Sequence, residues 1–437
     1  MTEIERSLWR EGARLPAFEP LHSDLRTDVL VVGGGLAGIL CAHMLREAGV
    51  DCALVEAANL CGGVTQNTTA KLTVQHGLIY HKLMQTLGRE RAQMYLRANQ
   101  SALDAYRALC AGMDCDFEEK DNLVYSRNDP ALIDRELAAL QSLGIPARRV
   151  DSLPLPVETA GAVCVPNQAQ FDPLKFAAAI AKGLHIYEHT RVLELAPGLA
   201  RTTGGKIRAE KIIIATHFPM LNKHGRYFLK LYQHRSYVLA LENAADVRGM
   251  YVDEADVGLS FRNARGLLLL GGGDHRTGKQ GGGWRELTDF TRVHYPQAHI
   301  VRRWATQDCM TLDGVPYIGQ YARRTTDLYV LTGFNKWGMT GSMAGALLLR
   351  DMLLGRAPEW AEVFSPARSS LHKQLLINAA EAVANLLTPT APRCPHMGCA
   401  LKYNSQEHSW DCPCHGSRFA ENGERIDNPA TGGLKQK

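Results

Sequence analysis

The sequence predicts a mixed α/β chain, α+β overall and divided into more than one domain. Three observations carry that expectation. A strand–glycine turn–helix–strand unit opens it, "DVLVVGGGLAGILCAHMLREAGVDCALVEA" from Asp28. A second strand–glycine loop–helix, "LYVLTGFNKWGMTGSMAGALLLRDMLLG", occupies 328–355. A tail rich in cysteine and histidine, "RCPHMGCALKYNSQEHSWDCPCHGSRF", covers 393–419. At 437 residues the chain also exceeds one simple core.

Composition narrows the class. The chain is 45% hydrophobic and 22% charged, the make-up of an ordinary globular protein. Its formal net charge of +4 is small and dispersed, which argues for no nucleic-acid partner. The start, "MTEIERSLWREG", has no apolar core of a secretion signal, and the apolar run from Val29 to Leu45 is broken by four glycines. Neither a signal peptide nor a transmembrane segment is expected. Seven of the eleven cysteines (Cys41, Cys52, Cys61, Cys110, Cys115, Cys164 and Cys309) follow no spacing pattern. That usage suits a reducing compartment, so the expected location is cytoplasmic.

The opening unit reads as a dinucleotide cradle. A buried-type strand, Val29 to Val32, runs into Gly33, Gly35 and Gly38 in G-x-G-x-x-G spacing, then a helix to about Ala48. Gly33 permits the tight turn, Gly35 lets the backbone approach a pyrophosphate, and Gly38 lets helix and strand pack closely. The helix N-terminus offers free N–H groups to phosphates. Glu56, at the end of the strand Cys52 to Val55, is placed for ribose hydroxyls.

Later stretches extend the pattern. "GGVTQNTTAKLT" (62–73) reads as a loop along an extended cofactor, and "EKIIIATHFP" (210–219) as an apolar strand ending in Ala215 and Thr216. "LDGVPYIGQ" (312–320) precedes the last strand–loop–helix. Together these segments resemble the D-amino-acid-oxidase-like flavoproteins, the superfamily of glycine and sarcosine oxidases, over roughly 27–365. The resemblance implies FAD in a two-dinucleotide-type Rossmann-like domain, discontinuous over 27–90, 151–216 and 305–365. It implies an inserted antiparallel-sheet substrate domain at 91–150 and 217–304, with 1–26 as an N-terminal extension. It also implies that Gly33, Gly35, Gly38 and Glu56 hold the adenosine and pyrophosphate, with Val192 at the adenine. Thr65, Thr69, Lys71, Ala215 and Thr216 then follow the cofactor, and Gly333, Gly338, Met339 and Thr340 meet the flavin ring. A helix start near Thr340–Gly341 would stabilise negative charge on the reduced ring.

Substrates of that superfamily are small amines or amino acids, held by an Arg or Tyr over the flavin. Tyr232, His234, Arg235 and Tyr237 in "LYQHRSYVLALE" stand on a strand expected to face the flavin; a solvated sheet face is the alternative. The expected catalytic group is Tyr237, Arg235, Lys336 and His76. Where sarcosine oxidases carry a flavin-side lysine, this chain has Thr340 and shifts a lysine to 336, which points to a dehydrogenase rather than an oxidase. Cys309 lies near the covalent flavin site of some sarcosine oxidases, at a different spacing from Asp313. "GGGDHRTGKQGGG" (271–283) reads as a surface loop or an anion-binding nest.

In the tail, Cys394 and His396 form C-x-H, Cys412 and His415 form C-x-x-H, and Cys399 and Cys414 complete the set. A tetrahedral zinc site is one reading. The order also resembles Rieske iron–sulfur proteins, whose two loops read C-T-H-x-G-C and C-P-C-H-G-S. That resemblance implies a [2Fe–2S] cluster held by Cys394, His396, Cys412 and His415, with a Cys399–Cys414 disulfide tying the loops. Two imidazoles on one iron raise the potential relative to an all-thiolate cluster. Ser417 matches the family serine that hydrogen-bonds a cluster sulfide, and Phe419 stands where high-potential members carry a tyrosine. The tail, a small all-β Rieske-like subdomain at 391–437, is too short to bury much core and is expected to dock on the flavin domain. Before it, 366–390 reads as helix and linker, with Leu371, Leu375, Leu376, Ala379, Val383 and Leu386 at helical spacing.

The expected function is oxidation of a small amine- or amino-acid-like substrate by FAD, with electrons leaving singly through the cluster to an external acceptor. A ferredoxin-like protein or a quinone would serve as that partner. The alternatives are reverse flow in a reductase, a non-catalytic relay or redox sensor, and a plain oxidase with a zinc tail.

Overall fold

The computed structural model describes residues 3–221, 224–369, 372–389 and 392–434. Its first sheet runs Tyr317–Gln320, Leu328–Thr332, Lys206–Ile214, Leu25–Val32, Cys52–Val55 and His185–Tyr187. All of these are parallel except Tyr317–Gln320. The hairpin of Val192–Ala196 and Leu199–Thr202 extends from Lys206–Ile214. Leu30 and Val31 are wholly buried, as a central parallel strand covered on both faces requires. The helices Leu36–Glu47 and Gly338–Leu353 pack together on one face of this sheet.

A nine-stranded sheet stands over the cradle. Its order is His299–Thr311, Leu231–Glu242, Leu267–Arg276, Ser260–Ala264, Met250–Asp253, Glu118–Ser126, Gly161–Gln170 and Lys71–Leu72, with Arg148–Val150 beside Gly161–Gln170. Only Met250–Asp253 against Glu118–Ser126 is parallel. Gly161–Gln170, Lys71–Leu72 and most of His299–Thr311 fall in segments expected of the FAD domain, so this sheet draws on more of the chain than 91–150 and 217–304. A short apolar run such as Gly161–Val165 suits a strand in either sheet, so periodicity does not assign it. The N-terminal extension packs down: Leu8 and Trp9 are buried, and Trp9 Nε1 donates to the Thr68 carbonyl.

The tail is a four-stranded antiparallel sheet, Lys402–Asn404, Ser409–Asp411, Arg418–Ala420 and Arg425–Asp427. The helix before it spans Lys373–Leu387; Leu371 lies outside the described residues. The helix expected within 366–390 is present, and most of its apolar positions face outward. Asn378 and Asn385 are buried, whereas Leu376, Val383 and Leu386 are exposed. The inward side chains have polar partners: Arg276 Nη1 donates to Asn378 at 2.9 Å, and Lys279 pairs with Glu381 at 2.6 Å. Those bonds, unreadable from spacing alone, set the rotation.

Candidate active site and metal centre

Between the two sheets lies a cavity of about 1430 Å³, above the roughly 300–1,000 Å³ of a site for a drug-sized ligand. At one end stand Gly33, Gly35, Glu56 and Val192. Gly38 lies just behind this wall, where a Cβ would collide with the Gly33 carbonyl oxygen; only glycine lets the helix approach so closely. The Thr65 hydroxyl accepts from the Leu36 amide at 3.0 Å, at the start of the first helix. The Glu56 carboxylate accepts from the Gly34 and Ala58 amides at 2.7 and 2.8 Å. Thr69, Lys71, Ala215 and Thr216 continue along the wall to Gly338 and Met339. These residues form an extended trough with a helix start at each end, and they would hold a dinucleotide cofactor.

Two expected cofactor residues do other work. Thr340 is buried and its hydroxyl exchanges hydrogen bonds with the Thr73 backbone, at 3.1 Å from N and 3.0 Å to O. It fixes the loop entering the cavity rather than lining it. Gly333 packs against the Thr311 methyl. The helix start itself is Gly338, not Thr340. Cys309 is absent from the wall, takes a hydrogen bond from Thr332 and is pushed up to about 12 by burial.

At the far end, His76 stacks on Trp337 with ring centroids 5.0 Å apart. His76 Nε2 faces the Thr73 carbonyl at 2.9 Å and must donate to it, so Nδ1 accepts from the Tyr95 hydroxyl at 2.6 Å. Burial drives its pKa down to about 3. His76 lines the cavity with both nitrogens engaged and its ring stacked on Trp337, an arrangement that suits positioning Trp337 better than the expected catalytic role. Lys336 forms an ion pair with Asp274 at 2.5 Å. Burial opposes its charge, but Asp274, with Asp308 and Asp256, outweighs burial and raises its pKa. Asp274 Oδ1 is buried without a hydrogen-bond partner, and Asp308 is raised to about 6 by burial. Lys71 is lowered to about 7, by burial first and then by Arg262.

Arg235 is a correction. Along Leu231–Glu242 the side chains alternate between faces, and Tyr232 and Ser236 line the cavity while Arg235 points to the other side. There it pairs with Glu407 of the tail. Tyr237 reaches the cavity wall, but its hydroxyl donates to Glu407 at 2.9 Å and lies 3.0 Å from His275 Nε2. His234, next to Tyr232, is lowered to about 3 by burial.

The tail sits on the same sheet. Gln233 Nε2 donates to the His415 carbonyl and Gln307 Nε2 to the Gly416 carbonyl, both at 2.8 Å. Arg276 Nε donates to the Pro413 carbonyl at 3.1 Å. The glycine-rich stretch 271–283 is the saddle for these loops, not a surface loop or an anion nest: a Cβ at Gly278 would lie 2.6 Å from the Pro413 nitrogen, and one at Gly416 2.6 Å from the Gln233 Cβ.

In the tail, Cys399 and Cys414 form a disulfide, so neither is a free thiolate, although Cys412 lies within 4.8 Å of both sulfurs. That leaves Cys394, Cys412, His396 and His415 as donors. The Cys412 thiol hydrogen-bonds the Cys394 sulfur and lowers Cys394 to about 7. The His396 and His415 rings stand perpendicular, 5.0 Å apart, and burial lowers them to about 4 and about 3. His415 is hydrogen-bonded to the Phe228 backbone, and its Nδ1 is buried without a partner. A second-side hydrogen bond that fixes the ring, plus an orphaned nitrogen beside two thiols, is what a metal-ligating histidine shows. The donor set therefore fits a two-thiolate, two-imidazole cluster. Ser417 lies in hydrogen-bond reach of Cys394 and accepts from the Ala430 amide at 3.0 Å.

The distance between cavity and cluster is short in sequence and space. Thr216 lines the cavity, and Phe218, two residues on, has its ring 6.4 Å from His396 and 6.2 Å from His415. Asn428 of the tail donates to the Phe218 carbonyl at 3.2 Å and itself lines the cavity.

A dinucleotide trough roofed by a second sheet, with cysteine–histidine loops docked on that sheet, defines an FAD-dependent oxidoreductase joined to an iron–sulfur electron carrier. The chain belongs to the FAD dependent oxidoreductase family, which it matches over residues 28–352, and its residues 371–436 match the Rieske [2Fe-2S] domain. FAD and a Rieske-type [2Fe–2S] cluster are its cofactors. It is 32% identical to YhfW of Bacillus subtilis, described as a Rieske 2Fe-2S iron-sulfur protein, over 99% of this chain and 98% of that one. It is 23% identical to the gamma-glutamylputrescine oxidoreductase of Escherichia coli over 82% of this chain and 91% of that one. Glycine oxidase from Geobacillus kaustophilus shares the fold with a TM-score of 0.67 at 20% identity, covering 79% of this chain and 99% of the oxidase. Among the described residues no helix is long and apolar enough to cross a membrane.

Much of the docking surface had no signal in the sequence. Glu407, Arg418, Gln233, Gln307 and Phe218 carry no motif. Only the glycine density of 271–283 hinted that a second backbone passes close by.

Proposed function

We propose that the protein is a dehydrogenase that oxidises a small amine- or amino-acid-like substrate and sends the electrons singly through its cluster to an external one-electron acceptor, working in the cytoplasm. The single observation that carries this reading is the Thr216–Phe218–His415 connection, in which one aromatic ring separates the cavity wall from two cluster-ligand histidines. Bound FAD would supply two-electron oxidation of the substrate, and the cluster one-electron exit.

The chain's own residues divide the remaining tasks. Gly33, Gly35, Glu56, Thr65 and Val192 would seat the adenosine and pyrophosphate. Trp337, pressed against His76, and the Lys336–Asp274 pair shape the reacting end. An ammonium substrate must lose a proton before it gives up a hydride, and Lys71 Nζ, on the wall and lowered to about 7 by burial, is a group able to hold that proton. Gln233, Gln307 and Arg276 keep the cluster loops against the sheet.

The test is anaerobic mixing with a panel of amines, amino acids and hydroxy acids. Flavin bleaching followed by the EPR signal of a reduced Rieske cluster is expected with one amine class. No response to any compound, with rapid reduction by a reduced ferredoxin or NAD(P)H system, would instead make the protein a reductase.

A further inference from the structure

The helix Lys373–Leu387 presents its apolar face to solvent. Leu376 is 72% exposed and Leu387 77%, and between them in sequence Ile377, Val383 and Leu386 are 43%, 56% and 44% exposed. Met397, on the cluster loop, is exposed too, and Leu386 comes up against Gly398 of the same loop. These six are nearly half of the thirteen large hydrophobic side chains exposed among the described residues, packed into 22 positions of the sequence. Exposed apolar residues scattered singly need no explanation; a contiguous patch does.

The chemistry of the patch selects its occupant. Its large side chains are aliphatic, apart from the Met397 thioether, with alanines between them and no aromatic ring or hydrogen-bonding group. Cores of protein interfaces are instead enriched in aromatic residues and arginine. The helix is 15 residues long, so a strip about 22 Å by 10 Å is on offer. That is a few hundred Å², well short of the roughly 800 Å² per partner of a stable dimer. The charges beside it are cationic. Lys373 is exposed at one end, and Arg393, at the other, donates to the carbonyls of Leu386, Thr388 and Gly398. The helix's one acid, Glu381, is turned inward onto Lys279. An aliphatic strip with cations at both ends and its polar side already bonded to protein matches an interfacial helix lying in a bilayer surface.

We propose that this face seats the protein on an anionic lipid surface, with Leu376, Val383 and Leu387 among the upper acyl chains and Lys373 and Arg393 at the headgroups. The proposal does not depend on the redox reading. It would bring the His396-bearing loop, through Met397, to the edge of the membrane.

The experiment is flotation of the full-length holoprotein with phosphatidylcholine vesicles, with and without phosphatidylglycerol, at low and high salt. Flotation with the anionic vesicles, weakened by salt, is expected. Leu376→Gln with Leu387→Gln should weaken partitioning by about a hundredfold or more, with flavin absorption and the cluster EPR signal unchanged. Leu376→Met with Leu387→Met should retain it, which separates loss of the apolar face from misfolding. A native chain that stays in the supernatant with both vesicle types overturns the proposal. So does a native dimer that the glutamine pair converts to monomer without any lipid binding, since the face would then belong to a second copy.

Discussion

Arg235 and Glu407, 172 residues apart in sequence, form a two-pronged ion pair between the flavin-side sheet and the iron–sulfur tail. Both side chains are more than nine-tenths buried, and Arg418 Nη2 adds a second cation at 2.8 Å from Glu407. Removing one partner of such a pair leaves an uncompensated buried charge, at a cost of about 3–5 kcal/mol. Glu407→Gln strands Arg235, while Arg418 keeps Asp411 and Asp427. It is expected to lower the unfolding free energy by that amount and to let a protease cut between 387 and 393. Denaturant titration and timed digestion read the two effects.

The same carboxylate sets an acid limit on docking. Burial pushes the Glu407 pKa up, but Arg235 and Arg418 overcome this and hold it at about 2, below the ordinary 4.5. A depressed carboxylate contributes stability that is complete above its unfolded value and lost as pH falls through its folded one. The tail should therefore loosen between about pH 4.5 and pH 2. Protease sensitivity at the 387–393 link, followed against pH, should rise in that window, and Glu407→Gln should abolish the transition.

The cofactor trough and the cluster ligands were legible because their chemistry dictates local spacing. Gly33, Gly35 and Gly38 have the spacing that a pyrophosphate approaching backbone requires, and Cys394, His396, Cys412 and His415 the spacing proposed to hold an iron pair. The substrate end was not. Arg235 and Tyr232 differ by three positions on one strand, so they face opposite sides, and the sequence does not tell which side is the cavity. The helix Lys373–Leu387 was legible from its spacing, but the side it turns inward was not. An apolar stripe normally points inward, but Arg276 and Lys279, a hundred residues away, bind its polar side chains and turn it over.

Gly278 holds the docking distance. Its φ is +75°, and a Cβ would sit 2.6 Å from the Pro413 nitrogen. Gly278→Ala leaves the cluster loops and the cavity wall chemically intact but forces them apart, at about 1–3 kcal/mol for overpacking. The variant should keep its flavin spectrum and cluster EPR signal. In stopped-flow mixing with a reducing substrate, flavin bleaching should keep its rate while cluster reduction slows.

His415→Ala removes the orphaned Nδ1 and one of the four proposed cluster donors. Iron and acid-labile sulfide should fall to background and the EPR signal should vanish, while flavin stays bound because no residue of the Gly33–Glu56 cradle is touched. Retention of one zinc per chain with native-like stability would instead favour a structural metal site.

His76 and Lys71 make opposite predictions about pH. The His76 ring has both nitrogens bonded and is driven down to about 3, so it does not titrate where the protein works. His76→Asn disturbs the seat of Trp337 and should slow flavin reduction without moving its pH profile. Lys71 is lowered from 10.5 to about 7, so its neutral, proton-accepting form is lost below pH 7 and complete above it. Flavin reduction by an amine should rise through a limb near pH 7 in the native protein, and Lys71→Met, measured on the fraction that carries FAD, should lack that limb. A limb that survives in Lys71→Met and disappears in His76→Asn would return the proton transfer to the histidine.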